Sequence, residues 1–430
     1  MTVLTSYATR LSCLRCGAEY HLGKMFEGCP KCNTDKIVAN LEVDYDYEGV
    51  ANVLNREALE KRVKERSVWK YKELLPVKAE RYMLTLGEGN TPLIKCERLG
   101  DKIGIKNFYI KDESRNPTWS FKDRHSCVAI SKGLEFGAKV VSISSSGNMG
   151  ASVAAYAARA GLDCIVFIPS FATETTLTWL QVYGAKLVPV TTPEGRWVLE
   201  SQCVREHDWF PVGTYTSPMA TYNPYGVEGN KTIGYEICEQ LNWEVPDKVF
   251  IPTSYGGCLW GTWKAFCEFK KMGLIEKEPM MISVEPAELG PLANAISKGL
   301  DYVERVPWKS TLAVSIGGNT SSYGALKTIR DSKGAAITVT DNEIMEMQKL
   351  LASTEGLYAE MASVAAIAGV KKLYEEGKVQ ADETVVCVLT SAGLKFPETM
   401  RMTLPDHPPA IEPDWIALKN LMKQRYNIII

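Results

Sequence analysis

The chain has 430 residues, 45% apolar and 23% charged, so at roughly 150 residues per domain it is long enough for two or three domains and too apolar to be disordered. Lys plus Arg number 49 and Asp plus Glu 51, a net charge of −2, which excludes a broad cationic surface for coating nucleic acid. The longest apolar runs, Cys164 to Pro169 and Thr384 to Leu389, are far too short to span a bilayer, and the start (MTVLTS) lacks the basic and apolar regions of a secretory signal. A cytoplasmic protein with no membrane partner is expected.

Four of the 12 cysteines fall within the first 32 residues. Cys13, Cys16, Cys29 and Cys32 read C-x2-C-x12-C-x2-C, and four thiolates in two close pairs suit a tetrahedral zinc ion. Gly17, Gly28 and Pro30 stand where two knuckle turns need them. Coincidence and a redox pair are the competing readings, and His21 is a competing ligand better placed at the surface. Residues 1–40 are therefore read as a small ribbon with a closed structural zinc site. The few basic residues between its first and last cysteines, Arg15, Lys24 and Lys31, argue against a nucleic-acid partner. The other eight cysteines are scattered and read as small buried apolar residues.

Residues 41–80 are polar and charged, with a helix-like run from Arg56 to Arg66, and read as a connector. Beyond residue 80, short β-rich runs alternate with longer helical ones. Strands are expected at Lys139–Ser144, Asp163–Pro169, Ala185–Val190, Lys248–Pro252, Met280–Glu285 and Thr384–Leu389. Helices are expected at Asn148–Ala160, Thr175–Tyr183, Gly261–Met272, Asp341–Ser353 and Ala362–Glu376. This order means an α/β fold with largely parallel sheets covered by helices. Prolines 405, 408, 409 and 413 then break the chain before a terminal helix, so residues 81–405 are read as the main body and 406–430 as a tail.

Ligands of open α/β sheets bind beyond the carboxyl ends of the strands. Three polar loops lie there: Ser144 to Gly150 (SSSGNMG), Pro252 to Gly261 (PTSYGGCLWG) and Leu389 to Lys395 (LTSAGLK). The first two lead into helices whose N-terminal N–H groups suit an anion. Gly256 and Gly257 would let the backbone close around a phosphate. Taken alone, such a turn is most often only a turn. Pro117 to Arg124 (PTWSFKDR) places Lys122 between a turn and a helix, where partial desolvation would free its amine for a Schiff base. In isolation a surface lysine is the commoner case.

Together these stretches resemble the threonine synthase family of pyridoxal-phosphate enzymes, with the tryptophan-synthase-β-like fold (fold type II). The resemblance runs from about residue 85 to 400 through Gly87–Leu93 (GEGNTPL), Lys111–Pro117 (KDESRNP), the Lys122 segment, the SSGN loop, Val227–Thr232 (VEGNKT), Glu355–Glu360 (EGLYAE) and Thr390–Lys395. It implies two α/β subdomains, the smaller and mobile one near residues 130–235, preceded by a zinc ribbon as also seen in that family. It implies that Lys122 holds pyridoxal 5′-phosphate as a Schiff base and shuttles protons, and that Asn148 bonds the ring hydroxyl. Backbone groups of Ser254, Gly256, Gly257 and Cys258 would cradle the cofactor phosphate, and Thr390 would face the pyridine nitrogen. Ser145, Ser146 and Gly147 would hold the substrate carboxylate, with Trp119 and Met149 beside it.

The chain departs from the family at Trp119 and His125, where glycines are usual, and at Met149, where threonine is usual. Gly226 stands where an arginine helps bind the substrate phosphate, and Thr176 stands loosely where many members have a lysine. Losing one charge-assisted pair to a phosphate costs about 1.5–3 kcal/mol, so losing two weakens binding by roughly two to four decades. Arg124, His125 or Lys231 would have to compensate. The expected activity is β/γ elimination or replacement on a small amino acid. Threonine synthase itself, a dehydratase or ammonia-lyase, the catalytic subunit of a two-component enzyme and a non-catalytic binding protein are the alternatives. A homodimer is implied by the resemblance, and a second polypeptide would have the ribbon and Asn427–Ile430 to dock on.

Overall fold

The computed structural model describes residues 5–145, 147–192, 194–216, 221–401 and 404–430. Met1–Lys395 form one unit and Phe396–Ile430 a second. The strands, in chain order, are Ala8–Cys13 (β1), Glu19–Tyr20 (β2), Leu41–Tyr45 (β3), Leu93–Lys95 (β4), Asn107–Asp112 (β5), Val140–Ile143 (β6), Asp163–Pro169 (β7), Lys186–Val190 (β8), Phe210–Pro211 (β9), Lys248–Pro252 (β10), Met280–Pro286 (β11), Ala335–Val339 (β12) and Thr384–Leu389 (β13). They make three sheets, in the orders β2-β1-β3, β12-β11-β10-β13-β5-β4 and β8-β7-β6-β9. The first is antiparallel. The four-stranded sheet is parallel throughout, and the six-stranded sheet is parallel except for its edge strand β4.

The largely parallel sheets expected from the alternation are thus present. Their central strands read as continuous apolar runs because helices cover both faces. Every residue of β10 is buried, and in β13 all but Thr384. The helix Asn148–Ala160 has the expected bounds, and Met361–Glu375 and Glu174–Val182 lie within one residue of expectation.

Two differences have clear causes. The helix after β10 starts at Gly257, earlier than the expected Gly261, because Gly256 at φ 84° turns the chain directly into it. The run from Arg56 is helical only to Lys61. Helicity ends where Arg62 forks onto the Glu73 carboxylate at 2.7 and 2.8 Å and bonds the Lys70 carbonyl at 2.8 Å. The connector segment opens with a strand, β3, whose Leu41, Val43 and Tyr45 alternate inward against β1.

The core of the larger sheet's helices contains two charged clusters. Arg124 bonds Glu113 and Glu236 at 2.6 to 2.8 Å, with Lys111 on Glu236 at 2.6 Å. Lys231 and Lys264 share Glu228, at 2.6 and 2.7 Å, with Lys231 also on Glu268 at 3.0 Å. All these groups are buried, and each is hydrogen-bonded, as buried charges require. No helix among the described residues is long and apolar enough to cross a membrane. In the second unit, Asp414 caps the helix Trp415–Tyr426 by accepting from the N–H groups of Ile416 and Ala417.

Candidate active site

The segment before Lys122 is bound to the end of β13. Phe121 N–H donates to the Thr390 carbonyl at 3.0 Å, and Ala392 N–H to the Trp119 carbonyl at 3.1 Å. Ser120 and Ser391 form an isolated bridge. Asp123 accepts from the Thr118 N–H and hydroxyl, both at 2.6 Å, and from the Ser152 hydroxyl at 2.7 Å. These bonds place Lys122 at the start of the helix Lys122–Glu135, beside the loop where β13 ends. Its Nζ lies 4.3 Å from the Phe121 ring centroid and has no hydrogen bond or ion pair among the described residues. Burial lowers its pKa, opposed by the nearby Cys258 and Glu360. An unpaired, desolvated amine is the state a nucleophilic lysine needs.

Trp119 stands where the resemblance leads one to expect a glycine. Its φ of 61° is the left-handed backbone that glycine adopts freely, so the turn is kept at a cost of about 1–2 kcal/mol. Its ring, half exposed, lies 6.1 Å from that of Trp179.

Asn148 begins the helix after β6. Its Oδ1 accepts from Lys395 Nζ at 2.6 Å and Ser391 Oγ at 3.3 Å. Its Nδ2 donates to both Glu360 oxygens at 3.2 Å and to Ser315 Oγ at 3.3 Å. Gly147 N–H donates to Ser145 Oγ at 3.4 Å, and Met149 is half-buried behind them. Ser146 lies outside the described residues. Thr390 is buried, and its hydroxyl shares a 2.8 Å hydrogen bond with that of Ser363. Glu360, Ser363, Ser391 and Lys395 stood inside or beside recognised motifs without being singled out. Ser315 carried no sequence signal, since it reaches Asn148 only through the fold.

Beyond β10, Ser254 and Tyr255 lead into Gly256, whose lack of a side chain leaves the start of the helix Gly257–Lys271 uncapped. A Cβ on Gly256 would sit 2.2 Å from the Ala325 methyl, and one on Gly257 2.3 Å from the Tyr222 hydroxyl. Only bare backbone fits there, as a phosphate cradle requires. Burial raises the Cys258 thiol to about 12, so it is neutral. The free amine of Lys122, the glycine cradle after β10, the Thr390 hydroxyl after β13 and the Asn148 amide after β6, in the other sheet, suit pyridoxal phosphate.

The three side chains expected to compensate for the departures at 226 and 176 are all committed elsewhere. Arg124 and Lys231 belong to the two internal clusters. His125 packs into the space that Gly226 leaves: a Cβ there would lie 2.2 Å from His125 Nε2. That nitrogen is 2.7 Å from the Val212 carbonyl, and burial lowers the imidazole pKa to about 4. The histidine is neutral, and its ring fills the space that a side chain at 226, on another helix, would need. Thr176 bonds only its neighbour Thr173, at 3.0 Å.

At the other end of the chain, the sulfurs of Cys13, Cys16, Cys29 and Cys32 all lie within 4.8 Å of one another. The pairs Cys13–Cys32 and Cys16–Cys29 are 3.5 and 3.7 Å apart, close to the edge of about 3.8 Å of a tetrahedron with zinc–sulfur bonds of about 2.3 Å. Gly17 and Gly28 take φ of 69° and 83° at the two turns, and His21 is exposed and outside the cluster.

A family profile described as "Pyridoxal-phosphate dependent enzyme" matches residues 84–391. The chain is 38% identical over 417 residues to a threonine synthase of Methanocaldococcus jannaschii, covering 96% of this chain and 99% of that one. It is 38% identical to a threonine synthase of Methanosarcina acetivorans over 91% of this chain and 93% of that one. Among solved structures, a serine racemase from Dictyostelium discoideum matches with a TM-score of 0.60 at 22% identity, over 79% of this chain and 98% of that one. A threonine deaminase from Solanum lycopersicum matches with a TM-score of 0.62 at 20% identity, over 81% and 94%. These two likenesses establish the fold, type II, and nothing finer.

Proposed function

This chain belongs to the threonine synthase family of pyridoxal-phosphate-dependent enzymes, and we propose that it acts on a small, unphosphorylated amino acid by elimination or replacement at the β or γ carbon. The chain is a threonine-synthase-like lyase of the carbon–oxygen class. The carrying observation is the neutral His125 ring against Gly226, with Arg124 and Lys231 held in internal ion pairs. The three side chains expected to compensate, Arg124, His125 and Lys231, thus offer no free charge to a substrate phosphate.

When bound, the cofactor supplies an electron sink next to the substrate α carbon. Lys122 would anchor it through Nζ, and the same amine would carry the substrate α-proton. Asn148 would donate to the ring hydroxyl, and N–H groups of Ser254, Gly256, Gly257 and Cys258 would hold the cofactor phosphate. The Thr390 hydroxyl would be the partner of the ring nitrogen. A neutral partner does not keep that nitrogen protonated, which favours elimination and replacement over transamination. Ser145, Ser146 and Gly147 would hold the substrate carboxylate, with Trp119 and Met149 beside it.

Cys13, Cys16, Cys29 and Cys32 hold a structural zinc ion with no open position. The ribbon has little charge left for nucleic acid, since Arg15 pairs with Asp301 at 3.3 Å and Lys24 with Asp208 at 2.6 Å. A cytoplasmic homodimer belongs to the same proposal, from the resemblance.

The test is phosphate release from O-phosphohomoserine by the holoenzyme, with threonine assayed in the same tube. No release, from protein whose spectrum responds to other amino acids, is expected. Release with stoichiometric threonine establishes the second reading, threonine synthase itself, which the identity over nearly the whole of the Methanocaldococcus relative favours.

A further inference from the structure

Asn148 is an amide, and an amide can be held either way round unless its partners forbid one orientation. Here they do. Lys395 has only donors to offer and lies 2.6 Å from one end of the amide. Glu360 sets both its oxygens 3.2 Å from the other end; burial raises its pKa, opposed by Lys395 and by the Asn148 hydrogen bond itself. Reversing the amide would set its NH2 against an ammonium and its oxygen against a carboxylate. Ser391 is a weaker claimant on the oxygen, because its single hydroxyl hydrogen is shared between the Trp119 carbonyl at 3.1 Å and Asn148 Oδ1 at 3.3 Å. Lys395 is the firm donor. It makes no ion pair among the described residues, and its one other contact of note is the Trp179 ring, 4.8 Å away.

We propose that Lys395 is a positioning residue that fixes the Asn148 amide with Nδ2 presented as donor to the ring hydroxyl of the cofactor. The inference rests on the proposed pairing of Asn148 with that hydroxyl. It assigns a role to a lysine outside the loop that carries the asparagine, on the segment after β13. A phenolate-like oxygen is an acceptor and needs the NH2 side of the amide. Without Lys395 the oxygen end of the amide keeps only the shared Ser391 hydroxyl, and the orientation rests on Glu360 and Ser315 at the other end. Burial pulls the Lys395 pKa down to about 8, opposed by Glu360 and Asp123, so the ammonium is retained at neutral pH.

The experiment measures cofactor dissociation constants and the visible absorption band of the holoenzyme for wild type, Lys395→Met, Lys395→Gln, Lys395→Arg, Asn148→Ala and the double variant Lys395→Met/Asn148→Ala. Lys395→Met, Lys395→Gln and Asn148→Ala should each weaken cofactor binding by about tenfold and move the band in the same direction. Lys395→Arg should restore most of both, and the double variant should match Asn148→Ala alone. A wild-type band and affinity in Lys395→Met, beside a shifted Asn148→Ala, overturns the inference alone, as do effects that multiply in the double variant. A silent Asn148→Ala overturns the ring-hydroxyl pairing and the inference together.

Discussion

The packing of His125 into the space at Gly226 can be tested by reversing it. In Gly226→Arg, the new Cβ would lie 2.2 Å from His125 Nε2, and the ring is held by its 2.7 Å bond to Val212. Overpacking of this kind costs about 1–3 kcal/mol, against a gain of about 1 kcal/mol for replacing a helical glycine. His125→Gly leaves the Val212 carbonyl unpaired, at about 1–3 kcal/mol, and opens a cavity besides. In the double variant the arginine side chain enters the space the ring has left, so the two costs should not add. A coupling of about 1–3 kcal/mol is expected from urea unfolding of the four proteins. The restored guanidinium should also tighten O-phosphohomoserine by roughly 10- to 150-fold, the worth of one charge-assisted pair to phosphate. Calorimetric titration of the holoenzyme reads this. Additive stabilities would refute the shared space. A wild type that binds the phosphorylated amino acid as tightly as the double variant would refute the lost phosphate site.

Lys122→Ala should give colourless protein that cannot be reconstituted with pyridoxal phosphate, while its melting temperature stays near that of the wild-type apoprotein, since the amine has no bond to lose; a retained yellow band places the anchor elsewhere. Trp119→Gly relieves a left-handed tryptophan worth about 1–2 kcal/mol and loses a ring pair worth about 0.5–1.5 kcal/mol, so unfolding free energy should change by less than about 1 kcal/mol while bulkier substrates gain access. A loss of about 3 kcal/mol or more would mean that the ring is a core element. His125 has its folded pKa near 4, below its usual 6.5, so its contribution is present above pH 6.5 and lost as pH falls toward 4. The wild-type stability advantage over His125→Gln should therefore shrink by about 3 kcal/mol between pH 7 and 4, at about 1.4 kcal/mol per pH unit, and a pH-independent difference contradicts the buried neutral ring. Chelation should raise hydrogen exchange across residues 8–45 and at their partners, where Glu27 pairs with Arg205 at 2.8 Å and Phe26 packs on Phe210, yet leave the chromophore intact. Loss of the chromophore with the metal would show that the two sites depend on each other.

Local features of this chain were readable because each depends on neighbours in sequence. The apolar run of β10 and the alanine-rich stretch of Asn148–Ala160 carry their periods within a few residues. The paired cysteines show their ligand geometry through spacing, and Lys122 stands in an ordered series of motifs. Only the tertiary structure decided the rest. Trp119 keeps a glycine backbone because its carbonyl and the Phe121 N–H are tied to residues 390–392. His125 fills the place of a missing side chain on another helix, and Lys395 reaches Asn148 across most of the catalytic body. Arg124 and Lys231 read as spare cations in the sequence and are spent inside the core. A motif names the residues that a turn or a strand end must carry. Which charge remains free to meet a substrate depends on which partners the packing has already given it.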